Sequence, residues 1–68
     1  MKSVEYWIKA INEAEEHEEV FRLWFLAQDE TPVGDPLRRT RAIEIHKGAK
    51  PRLMEAINDL NEKRDNAV

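Results

Sequence analysis

The sequence predicts an α+β fold in the order α-β-β-α, with two helices packed on an antiparallel hairpin. Three observations lead there. A helical apolar stripe opens the chain over 3–17, two segments that alternate with a period of two occupy 20–27 and 39–46, and a second helical stripe follows over 51–65. A lone hairpin is a thin core with open edges, so dimerisation into a four-stranded sheet would complete the fold. The rival architecture is all-α, either a helical hairpin or a bundle of three or four helices. The choice turns on whether 20–27 is strand or helix.

In the first helix Val4, Trp7, Ile8, Ile11 and Ala14 recur at one-face spacing. Ser3 suits the N-cap, and Glu5 places negative charge at the positive end of the helix dipole. The following EAEEHEE is helix-compatible but adds nothing to the stripe. In VFRLWFLA, 20–27, a helix would spread apolar residues all round its axis. A strand sets Phe21, Leu23, Phe25 and Ala27 on one face, and its aromatic content favours that reading. Against it, no Gly, Pro or Asn separates this segment from the first helix.

QDETPVGDPL, 28–37, reads as a loop on Pro32, Gly34 and Asp35-Pro36. Asp35-Pro36 would also suit a helix start, Asp as N-cap and Pro as first residue. Three arginines crowding the positive end of that dipole speak against it, and Leu37, Ala42, Ile43 and Ile45 make no helical stripe. TRAIEI instead alternates, Arg41, Ile43 and Ile45 opposite Thr40, Ala42, Glu44 and His46. KGAKP ends that strand. Pro51 then opens the second helix, whose stripe is Leu53, Ala56, Ile57 and Leu60. Residues 1–68 form a single small domain with a frayed tail at 66–68.

With 68 residues and no cysteine, disulfides and thiolate metal sites are excluded. A domain of this size buries only about 60% of its unfolded surface. Self-association, as a homodimer, is the remaining source of stability. No apolar run is long enough to span a membrane, and the amino terminus lacks the apolar core of a signal peptide, so the expected compartment is the cytoplasm.

No nucleophile sits in a recognisable catalytic setting, and the two glycines belong to no phosphate-binding loop. The expectation is a protein that is no enzyme and uses no cofactor. Glu13 and His17 share a helix face if the first helix continues, yet the two-histidine zinc signature is missing, so they read as solvated and no metal site is expected.

Charge carries the functional signal. The net charge is −3, yet six of the eleven basic residues fall within 38–52: Arg38, Arg39, Arg41, Lys47, Lys50 and Arg52. That segment carries +5, whereas 1–19 carries −4. The basic strip is the candidate binding surface, for carboxylates of a protein partner or for phosphates. The acidic run Glu13, Glu15, Glu16, Glu18 and Glu19 is a second candidate surface. No aromatic residue interleaves the strip and the whole chain is acidic, both unlike a dedicated nucleic-acid reader. The leading expectation is a small non-catalytic regulatory protein that modulates a larger protein or complex. Its size and composition are analogous to the accessory or inhibitor proteins of phage and other mobile elements. The alternative is a nucleic-acid-binding regulator that uses the same strip.

Overall fold

The computed structural model describes residues 1–66, which form three α-helices and no strand: α1 Val4–Glu13, α2 His17–Asp29 and α3 Pro36–Asn66. The predicted α+β hairpin fold is overturned, and with it the four-stranded sheet as a reason to dimerise. Asn66 is the last helical residue, and the rest of the tail expected to fray, 67–68, lies outside the described residues.

α1 forms as its stripe requires. Ser3 is extended and its Oγ accepts the amide of Tyr6 at 3.1 Å, while Trp7 and Ile11 are buried with Val4, Ile8 and Ala14 packed beside them. It is shorter than read. Ala14 turns extended at φ −64°, ψ 127°, and Glu16 follows at φ −101°, ψ 144°. Any L-residue adopts such angles, so the break needs no Gly, Pro or Asn. What it needs is a partner for the carbonyls that the helix end leaves open. Arg52 supplies it. Its Nε and Nη2 donate to Ala14 O at 3.2 and 2.9 Å, and Nη2 also donates to Glu15 O at 3.3 Å.

Residues 20–27 are helical because α2 packs against both α1 and α3. Val20 and Ala27 are fully buried, and Phe21, Leu23 and Trp24 pack around the same core. Contact with two neighbours widens the buried side of the helix, while Phe25 and Leu26 stay exposed. Glu18 and Glu19 in its first turn favour the helix dipole.

The second predicted strand and the second predicted helix are one helix, α3, of 31 residues. Asp35 and Pro36 start it: Oδ1 of Asp35 accepts the amide of Leu37 at 2.9 Å, and Pro36 occupies the first helical position. Gly34, at φ +91°, turns the chain into it. The arginines do not crowd the dipole. Arg38 reaches back to Thr31 O at 3.1 Å and Arg41 to Lys2 O at 2.6 Å. Pro51 lies inside α3, not at a helix start, with its ring exposed. It removes one helical hydrogen bond and is tolerated because α1 and α2 clamp the helix on both sides of it.

All three helices pack on one another. α1 runs parallel to α3, with Lys2 at Arg41 and Ala14 at Arg52, whereas α2 runs antiparallel, with Asp29 near Arg38 and His17 near Asp59. Gly48 lets α1 approach, its Cα facing the side chain of Ile8. The core is Trp7, Ile11, Val20, Ala27, Ile45, Ala49, Leu53 and Ala56, in which three alanines allow close helix contact but contribute little apolar area.

Candidate docking groove between the second and third helices

α3 divides the predicted basic strip into two sets, because a helix turns 100° per residue and the six cations cannot share a face. Arg38, Arg41 and Arg52 face inward and hold the fold. Arg38 also stands 3.8 Å from Asp29, and Arg41 is 3.8 Å from Glu30. Glu30 Oε2 accepts from Trp7 Nε1 at 2.9 Å and from the amide of Lys2 at 3.1 Å. The indole hydrogen bond, helped by the Lys2 amide and the nearby cations, holds the Glu30 carboxyl below the ordinary glutamate value. Glu30 therefore ties the ends of α1 and α2 to α3. Sequence reading missed it, since nothing local marks a lone glutamate as a hub.

Arg39, Lys47 and Lys50 form the other set. They rim an open groove of about 470 Å³ whose walls are Trp24 of α2 and Ala42, Ile43 and His46 of α3. The spacing explains the grouping: Arg39, Ile43 and Lys47 follow one another at i+4, and so do Ala42, His46 and Lys50. Ile43 remains 46% exposed, and the Trp24 ring leans on the His46 imidazole with centroids 6.0 Å apart. Among the described residues none of the three rim cations makes an ion pair. Trp24 and Ile43 fall in the two segments that the sequence predicts as strands, 20–27 and 39–46. The signal that could have found the groove was the i, i+4, i+8 recurrence, which alternation at period two obscured.

The acidic run sits at the other end of the molecule, around the α1–α2 turn. Glu19 is engaged by Arg22, whereas Glu13, Glu15, Glu16 and Glu18 make no ion pair among the described residues. Glu13 ends α1 and His17 begins α2, so the two share no helix face. Nδ1 of His17 faces Arg52 Nη1 at 2.9 Å, which makes it the acceptor. Nε2 then carries the hydrogen and lies 3.3 Å from Asp59, which also pairs with Lys63. Among the described residues no three metal-ligating side chains cluster. A second open hollow of about 500 Å³ is lined by Pro51 and Met54 together with His17, Glu55, Asp59 and Glu62, and no lysine or arginine lines it.

No protein-family model, no curated protein and no solved structure matches the chain. No helix among the described residues is long and apolar enough to cross a membrane.

Proposed function

We propose that the chain is a non-catalytic regulatory protein that binds a larger protein through the α2–α3 groove, gripping an acidic segment that carries an apolar side chain. One observation carries the reading: Arg39, Lys47 and Lys50, which make no ion pair among the described residues, surround an apolar floor built on Trp24 and Ile43. Cations on a rim steer and orient an acidic partner, and a desolvated apolar centre supplies affinity. A duplex phosphate backbone would favour a continuous cationic surface, but half the strip is spent inside the protein. A helix-turn-helix reader would also cross its two helices steeply, whereas α2 and α3 lie antiparallel as an αα-hairpin. The cytoplasm is the compartment this reading takes, and a chain without cysteine fits it.

The test compares wild-type protein with Lys47→Glu/Lys50→Glu as bait, the captured protein being identified and its contact segment mapped. Labelled duplex DNA and single-stranded RNA are titrated in parallel across a salt series. The reading expects a partner lost from the variant and contacting through acidic and apolar residues. Salt-sensitive nucleic-acid binding that the variant abolishes would replace it with the nucleic-acid regulator.

A further inference from the structure

We propose that the partner segment this groove takes is an amphipathic α-helix, laid along α3, with a carboxylate at each end of a short apolar stripe. The inference rests on the docking reading and adds the shape of what docks. The walls supply the first observation. Every residue lining the groove belongs to α2 or α3, so their backbone N–H and C=O groups are bonded along those helices. Pro51 leaves the carbonyl of Lys47 without its helical donor, but a single acceptor makes no ladder. Among the described residues no strand offers an edge either. A segment that covers the apolar floor must therefore satisfy its own backbone, which a helix does and an extended chain does not.

The rim supplies the second observation. Arg39 and Lys50 stand eleven residues apart on α3, about 16 Å along its axis and about 20° apart around it. Ile43 lies between them, 46% exposed, and Trp24 forms the wall across the groove. A helix alongside repeats that spacing. Its residues i and i+11 are again three turns apart on one face, and i+4 and i+7 face the same way between them. An extended segment covers about 16 Å in five steps, so its first and last side chains point to opposite faces. Acidic residues at i and i+11 meet Arg39 and Lys50, while apolar residues at i+4 and i+7 meet Trp24 and Ile43. Lys47, on the outer flank, is left for a third carboxylate.

The probe is a labelled, alanine-based peptide of about fourteen residues with Glu at i and i+11 and Leu at i+4 and i+7. A second peptide, equal in charge and leucine content, carries proline at two of the central alanines. Peptides this short are mostly unfolded when free, so helix gained on docking is read by difference circular dichroism. Fluorescence anisotropy against the full chain is expected to show the helix-capable peptide binding more than tenfold tighter than the proline peptide. Moving the second Glu from i+11 to i+9 turns it to the far side of a helix and should weaken binding several-fold. Lys47→Glu/Lys50→Glu, with helix content unchanged, should also weaken it. Equal affinity of the helix-capable and proline peptides, both lost in that variant, overturns the helix and leaves the docking reading standing. Binding by neither peptide, or binding that the variant does not weaken, overturns both.

Discussion

Adding one methyl group at Gly48 tests how closely α1 and α3 are packed. A Cβ built there lies 2.8 Å from Cγ1 and 3.0 Å from Cγ2 of Ile8, and closer still to Cδ1. Carbon atoms prefer about 3.5–4.0 Å. Ile8 is branched at Cβ, so Cγ1 and Cγ2 cannot both swing away, and the helices must separate. Overpacking of this kind costs up to about 3 kcal/mol, against a gain of about 1 kcal/mol in helix propensity from replacing Gly by Ala. Gly48→Ala should therefore destabilise by about 2 kcal/mol, lowering Tm by roughly 8–16 °C for a domain this small. Ile8→Ala removes all three clashing atoms. In that background the same substitution should stabilise by about 1 kcal/mol, a coupling of about 3 kcal/mol. Urea denaturation followed by tryptophan fluorescence and far-ultraviolet circular dichroism measures all four corners of the cycle. If Gly48→Ala costs the same in both backgrounds, the close approach is not what Gly48 provides.

Two further substitutions probe the polar ties. Arg52→Met should cost about 2–3 kcal/mol by stranding the carbonyls of Ala14 and Glu15, and Arg52→Lys should restore only part of it, since one ammonium cannot span both. Equal denaturation midpoints for wild type and Arg52→Met would show that the α1–α2 turn stands without the guanidinium. Glu30, with its folded value lowered from about 4.5, contributes stability that is fully present above that value and lost as pH falls through the lower folded one. Glu30→Gln should therefore destabilise the protein at neutral pH and flatten the acid limb of its stability curve. An acid limb identical to wild type would remove Glu30 from that role.

Where local chemistry was sufficient, the sequence was legible. Ser3 and the Val4–Trp7–Ile11 stripe defined α1, Gly34 marked the turn, and Leu53 and Ala56 were read correctly as buried. The strands failed for a specific reason. Ile43 and Ile45 are two apart and looked like one face, yet Ile45 is buried in the core and Ile43 is open to solvent. Alternation over six residues also arises where a helix has one side against a core and another lining a groove. Asp35-Pro36 was a correct start signal, set aside because three arginines followed. Two of them, Arg38 and Arg41, reach Thr31, Asp29, Lys2 and Glu30 with their long side chains, and the dipole argument ignored that reach. The site followed the same pattern. The basic residues were visible in the sequence, but not which of them remain available.

By itself the sequence determined a small helix-capable chain with strongly separated charges, two amphipathic termini and no cysteine chemistry. Those are properties of composition and of spacing within one turn or two. The tertiary structure alone decided that 20–27 is a helix, that α3 continues through Pro51, and that three arginines serve the fold while Arg39, Lys47 and Lys50 rim the groove. Each of those outcomes depends on atoms far apart in the chain. Arg52 holds the turn after α1 across 38 residues, and Trp24 meets His46 only because α2 folds back along α3. Local propensities differ by tenths of a kcal/mol, whereas burial and paired guanidinium contacts are worth several, so the long-range terms decide.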